Sequence, residues 1–213
     1  MAPVTAWTIA RTGRSDWEVT VVRPDTAPAR TVPSDIGDAE LVAACLRGEA
    51  GAFDLVVERH QRAVYHLCYR FVGNHEDASD LAQDVFLRAY RGLRRFRGDA
   101  SLATWLYRIG VNVCLNRIAV KAPQTEPIDE RQHVDLRSDT ASERLLKRER
   151  AAQVRAAIAA LPRKQRAALI LRVYHDMAHQ EIADAMGSSV GAVKANVFHA
   201  LQNLKKLLGG EQI

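Results

Sequence analysis

From Asp38 onward the apolar residues of this chain recur every three to four positions, and after residue 36 they never alternate as a strand over a core requires. That period commits the chain to packed helices. Asp38 is placed to cap a short helix ending near Gly48. A longer one follows from about Ala50 to Val72, with Phe53, Val56, Val57, Val64, Leu67, Cys68 and Phe71 at helical spacings and Gly73 to stop it. A third runs from about Glu76 to Leu93. Leu81, Val85 and Ala89 face inward with Phe86 and Tyr90 beside them, while Asp80, Gln83, Asp84 and Arg88 face outward. A loop from Arg94 to Ala100 is broken by a glycine between charges. A fourth helix then starts near Ser101, with Leu102, Trp105, Leu106, Ile109 and Val113 on one stripe, and these four helices can enclose a core.

After Lys121 the composition changes. Pro123 and Pro127 border or lie in a stretch, Gln124 to Asp139, with five acids and two bases, net −3, which reads as a flexible acidic linker. Helicity resumes with Ser142 as a cap and an alanine-rich helix to Ala160. Leu161-Pro162 then puts proline at the start of a helix over about Arg163 to His175. The expected fold class is all-α: two small helical domains, 36–121 and 142–213, joined by a linker at 122–141. Residues 1–35, with Pro3, Pro24, Pro28 and Pro33 and balanced charge, read as a poorly ordered leader.

Several function classes drop out. A chain of 213 residues, 47% of them hydrophobic, can bury real cores, yet no stretch approaches the roughly 18 apolar residues a membrane span needs. The N-terminus has no signal-like apolar run, so a cytoplasmic protein is expected, with no membrane insertion. Cys45, Cys68 and Cys114 are odd in number and widely spaced, which favours buried thiols over disulfides, zinc or any other metal site. There is no HExxH, GxSxG, P-loop or paired Cys/His arrangement, and His75-Glu76-Asp77 sits where acids favour a helix dipole. No catalytic residue and no cofactor is expected.

Charge distribution says more than the net +5. From Asp38 to Asp84 there are nine acids and four bases; from Val85 to Arg117 there are seven bases and one acid, Asp99. The first segment is charged like a protein-docking surface, the second like one that faces phosphates.

The sharpest local signal is HQEIADAMGSSVGAVKANVFHALQNLKKLL, residues 179–208. Two helices crossing steeply need a small residue at their contact, a residue that tolerates positive φ at the turn, and a β-branched side chain locking the second helix. Ala183, Gly187 and Val193 meet those demands; Ser189 caps the second helix, and Ile182, Met186 and Val197 add packing. That second helix has the diameter to enter a major groove, and its outward residues, Lys194, Asn196, Phe198, His199, Asn203, Lys205 and Lys206, are mostly donors. An exposed Phe198 suits a thymine methyl. Residues 151–213 are net +4.

The run DASDLAQDVFLRAYRGLRRFRGDASLATWLYRIGVNVCLNRI, residues 77–118, resembles region 2 of extracytoplasmic-function (ECF) sigma factors of the sigma-70 family. It combines a DLxQ(D/E)xFLRxxR helix, an FRG loop and a WLxRIxxN helix in the family's order. Residues 160–206, ALPRKQRAALILRVYHDMAHQEIADAMGSSVGAVKANVFHALQNLKK, resemble region 4 of the same family. The resemblance implies that Asp80, Gln83, Asp84, Leu87 and Arg88 dock on the beta-prime clamp helices of core RNA polymerase, with the beta flap a further contact. It implies that the loop Phe96 to Ala100, with Gly98 and Asp99, receives a flipped base of the minus-10 element together with Asn112. Arg94, Arg95, Arg97, Arg108 and Arg117 would hold the opened strand, a sequence-blind and salt-sensitive contribution. Ser189, Lys194, Asn196, Phe198, His199 and Lys205 would read the minus-35 element. Trp105, on the apolar stripe, is expected in the core rather than as a stacking platform. The acidic linker would enter the RNA exit path, and an anti-sigma factor would wedge between the domains.

This chain departs from the family at Asn196, His199 and Leu201, where arginines are common, and at Ala178, where a capping serine or threonine is usual. The changes bear on phosphate contact and on which minus-35 sequence is read. The leader is longer than usual, as expected if the start codon has been set too early. A stand-alone helix-turn-helix regulator would bind duplex promoters without polymerase, whereas a sigma factor binds weakly alone and strongly as holoenzyme. A helical protein that only sequesters another factor has no use for both an FRG loop and a recognition helix.

Overall fold

The computed structural model describes residues 9–11, 19–21, 32–120 and 141–209. Among the described residues, eight α-helices follow a small antiparallel ribbon: α1 Asp38–Arg47, α2 Ala52–Val72, α3 His75–Gly92, α4 Leu102–Val120, α5 Ala141–Ala160, α6 Arg163–Tyr174, α7 His179–Met186 and α8 Val190–Leu207. The ribbon pairs β1, Ile9–Arg11, with β2, Val19–Val21, Ile9 lying opposite Val21. The helices are as the apolar period requires. The ribbon lies within the leader that the sequence reads as poorly ordered: each strand carries β-branched residues, which fit a pleated ladder, but three residues are too few to show a period of two. The rest of the leader and the acidic linker, apart from Ala141, lie outside the described residues, as does the side chain of Ser142.

Helices α1 to α4 assemble around α2. Leu41, Val56, Val64, Leu67, Phe71, Val85, Leu106 and Val111 are fully buried there. Gly110 permits the close approach of α4 to α2, since a Cβ at that position would meet Leu67 Cδ2 at 2.7 Å. Two local expectations are corrected. Asp38 is the first helical residue, not the cap; Gly37 occupies that position, and Asp38 instead holds Arg59 Nη1 (3.2 Å) and His60 Nε2 (3.3 Å) of α2. Tyr90 leaves the apolar face of α3 and is 49% exposed, with its ring edge-on to Phe53. The start of α3 is set by Asn74, whose side chain accepts from Asp77 N at 2.8 Å.

Helices α6, α7 and α8 pack around Leu169, Ile170, Ile182, Ala183 and Val193. This rear group does not stand apart from the front one. Helix α7 lies on α4, and α6 meets α2.

Candidate polymerase and nucleic-acid interface

On α3, the spacing of Asp80, Asp84 and Arg88 by four residues brings them to one side of the helix. Asp80 and Arg88 are exposed, and Gln83 and Leu87 lie partly buried beside them. Arg88 grips Asp84 with two contacts, Nε to Oδ1 at 3.0 Å and Nη2 to Oδ2 at 2.9 Å, so the guanidinium is ordered along the helix and its charge is offset. Asp80 is left as the prominent negative charge of the strip.

Beyond α3 a short 3₁₀ turn, Leu93–Arg95, closes with Phe96 N donating to Leu93 O at 3.0 Å. Gly98 takes φ +78°, which a side chain would resist, and turns the loop back toward α4. Ser101 starts α4: its Oγ accepts from Thr104 N at 3.1 Å. The loop and α4 enclose a cavity of about 240 Å³ walled by Arg95, Phe96, Arg97, Gly98, Asp99, Ala100, Thr104, Trp105 and Arg108, and completed by Asp184 and Ala185 of α7. Phe96 and Trp105 form an aromatic corner with ring centroids 5.3 Å apart. Trp105 is thus only partly a core residue; its ring is also a wall of the cavity. Arg94 is exposed on the 3₁₀ turn and Asn112 is exposed one turn beyond Arg108, both outside the lining. Arg117 is committed elsewhere. Its Nη2 donates to Asp77 Oδ1 at 2.6 Å, tying α4 to the start of α3, so it is not a free hand for a phosphate.

In the rear group, α7 and α8 form the expected helix-turn-helix. Gly187 adopts the left-handed conformation (φ 59°, ψ 44°), Ser188 N donates to Ala183 O at 2.9 Å, and Ser189 Oγ accepts from Ala192 N at 3.2 Å. Ala178 stands at the cap of α7 with no acceptor in its side chain, so only half of a capping box exists: Glu181 Oε2 accepts from Ala178 N at 2.7 Å. Of the expected groove-facing residues, Lys194, Phe198, His199 and Lys205 are exposed, Phe198 at 57%. Ser189 is occupied as the cap. Asn196 is turned back on its own helix, Nδ2 donating to Ala192 O at 2.8 Å. Asn203 is half-buried and donates to Gln165 Oε1 of α6 at 2.8 Å.

The contact between the two groups was not foreseen. Arg166 of α6 is buried, and its guanidinium donates to Phe71 O at the end of α2 and, at 3.4 Å, to Ala159 O. Burial pulls it down to about 10, which leaves it a cation at neutral pH. Around it, Tyr107 of α4 packs on His175 with centroids 4.7 Å apart, and Arg70 of α2 lies 4.1 Å over the Tyr174 ring. Arg166 precedes the apolar run 167–171 as one of three arginines in α6, so nothing in the sequence singled it out to mark this seam.

Among the described residues no group of three or more His, Cys, Asp or Glu side chains could hold a metal ion, and no helix is long and apolar enough to cross a membrane. Cys68 and Cys114 are buried, and the neighbouring Cys114 thiol together with desolvation pushes the Cys68 thiol well above its usual range. Cys45 is only partly buried, its thiol raised by desolvation to about 11.

The chain matches Sigma-70 region 2 over residues 56–122 and Sigma-70, region 4 over residues 151–204. It is 34% identical over 180 residues to the RNA polymerase sigma-H factor of Pseudomonas aeruginosa, covering 80% of this chain and 93% of that one. It is 38% identical over 176 residues to the ECF RNA polymerase sigma factor SigM of Mycobacterium tuberculosis, covering 81% and 85%. Among solved structures, CnrH in complex with the cytosolic domain of CnrY superposes with a TM-score of 0.62 at 25% identity, over 82% of this chain and 99% of that one. The chain therefore belongs to the sigma-70 family, in its ECF branch, whose members are RNA polymerase sigma factors acting in transcription initiation.

Proposed function

We propose that this sigma factor grips core RNA polymerase through α3, receives the minus-10 strand in the FRG-loop cavity, and reads minus-35 duplex through the outer face of α8. Residues 36–121 then form the unit for core and minus-10, and 142–213 the unit for minus-35. One observation carries the reading: an acidic helical strip, Asp80 with the Asp84–Arg88 pair, leads directly into a cavity holding three arginines and an aromatic corner. A clamp helix rich in basic residues suits the strip. A single strand suits the cavity, where Arg95, Arg97 and Arg108 would neutralise phosphates and Phe96 with Trp105 offers a face for a base. Gly98 and Asp99 shape the loop that would take the flipped base, with Asn112 at its edge; Arg94 remains a candidate for backbone contact.

On α8, Lys194 and Lys205 are free for phosphates, and Phe198 with His199 for base edges. The remaining partners follow the same reading: the beta flap for the rear unit, the RNA exit path for the acidic linker, and an anti-sigma factor, as CnrH has in the cytosolic domain of CnrY. No catalytic residue and no cofactor is required, and the protein works in the cytoplasm.

Run-off transcription with core polymerase on genomic promoters tests this directly, and the chain should be essential for initiation at a subset. Asp80→Lys with Asp84→Lys should abolish core binding while circular dichroism stays unchanged, because both side chains are solvent-facing; retained affinity would refute the docking strip. Should the purified chain bind operators tightly alone and fail to join polymerase, the stand-alone regulator is the correct description.

A further inference from the structure

No arginine occurs anywhere after Arg172, so the helix-turn-helix is built without one. The forked guanidinium is the side chain best matched to the paired acceptors of guanine, and a lysine ammonium replaces it only as a flexible point charge. Lys194 is the one cation of α8 before Phe198, and Lys205 and Lys206 lie in its last turn. Asn196, whose amide would suit adenine, is spent on Ala192 O.

What remains on the outward side of α8 is apolar and graded in size. Val193 and Ala200 are fully buried and fix the inner face, while Gly191, Ala195 and Phe198 are exposed. A Cβ on Gly191 would meet nothing within 4 Å, and Ala195 adds only a methyl group one turn later, so the start of the helix is slender. A recognition helix meets base edges with its N-terminal residues, and this slender end lets the backbone lie close to them. The longer Phe198 ring reaches from the next turn. His199 stands edge-on to it, with centroids 5.6 Å apart, and braces it on one side. Ala195 and Phe198 are separated by about 4.5 Å along the helix axis, near the roughly 3.4 Å between neighbouring base pairs. The apolar feature of the major groove is the thymine C5-methyl, which alanine and phenylalanine side chains can meet.

We propose that this chain selects its minus-35 element by methyl contact: Ala195 and Phe198 read two neighbouring thymines on one strand, and no guanine is obligatory. This rests on α8 lying in the minus-35 groove, as proposed above, and adds the chemical basis of its choice. Lys194, Lys205 and Lys206 then hold phosphates and supply affinity without discrimination.

The test uses holoenzyme assembled from core polymerase and the full chain, on promoter duplexes with a randomised minus-35 element. The selected duplexes should share two adjacent thymines on one strand. Each thymine is then replaced by deoxyuridine, which removes the methyl and leaves every hydrogen-bonding group in place. Binding should weaken about four-fold at each of the two positions, the worth of one buried methyl group. Phe198→Ala should bind thymine and uracil equally at its position, Phe198→Leu should keep part of the difference, and Phe198→Arg should move the preference there to guanine. All three side chains project into solvent, so thermal unfolding should stay as in wild type. An obligatory guanine with uracil as good as thymine would overturn methyl reading while leaving α8 as the minus-35 reader. Discrimination that persists in Phe198→Ala would overturn the assignment to Phe198. If holoenzyme selects no minus-35 sequence at all, the placement of α8 fails and methyl reading fails with it.

Discussion

Arg117 illustrates how one contact redirects a side chain. The sequence places it at the end of a basic run, among residues suited to phosphates, yet its guanidinium lies 2.6 Å from Asp77, whose side chain is 12% exposed. Asp77 also takes the Asn74 amide at 2.9 Å, so the carboxylate joins the start of α3 to α4. Arg117→Ala should therefore lower stability by about 1–2 kcal/mol, less than for a fully buried pair because Arg117 is 42% exposed. Thermal unfolding should report a shift of several degrees, while the salt dependence of holoenzyme on DNA stays as in wild type. Arg97→Ala should behave oppositely, with no change in unfolding and a salt slope reduced by about 0.7. Composition and spacing made both arginines visible as basic residues. They could not separate them, because the partner of Arg117 lies 40 residues away in sequence. The turn residues Ala183, Gly187 and Val193 were legible for the opposite reason: their roles depend on neighbours a few positions off.

At the level of elements, the helix limits followed from local chemistry, with Gly48, Gly73 and Gly187 as left-handed stops and Ser189 as a start. Helix α7 retains an unused possibility. Ala178 already has the extended cap geometry, φ −65° and ψ 152°, and Glu181 already returns to its amide. Ala178→Ser needs no backbone change to complete the capping box and should stabilise the chain by about 0.5–1 kcal/mol in urea unfolding. No gain would mean that the hydroxyl does not reach the first-turn amides. The ribbon β1–β2 was the element sequence could not supply, since strands this short gain their identity from being paired. The same holds for the choice of Gly37 over Asp38 as cap of α1: Asp38 is drawn off by Arg59 and His60 of α2.

For the molecule as a whole, the seam makes stability sensitive to acid. His175 is held down to about 4, first by desolvation and then by His66 and Arg70 of α2, with Asp176 opposing; Tyr107 of α4 packs on its ring. A histidine depressed below its ordinary 6.5 stabilises the fold fully above pH 6.5, and that contribution is lost as pH falls from 6.5 toward 4 because the unfolded chain binds the proton more readily. The midpoint of urea unfolding should fall between pH 7.5 and 5.5, and His175→Gln should flatten that response. Two domains could be read from the sequence, but their mutual arrangement could not, since Arg166 and Phe71 are 95 residues apart. The recognition helix, meanwhile, is sparsely charged: Asn196 spends its amide on Ala192, and Leu201 is an exposed apolar residue where an arginine is usual. On the proposed function, once the front unit is anchored, a tether of this length would present α8 to its site at an effective concentration in the millimolar range, so even a submillimolar intrinsic grip would be saturated. Tight binding by α8 alone would instead scatter the factor over duplex away from any polymerase, and a weak reader on a leash confines recognition to the places where the enzyme has already arrived.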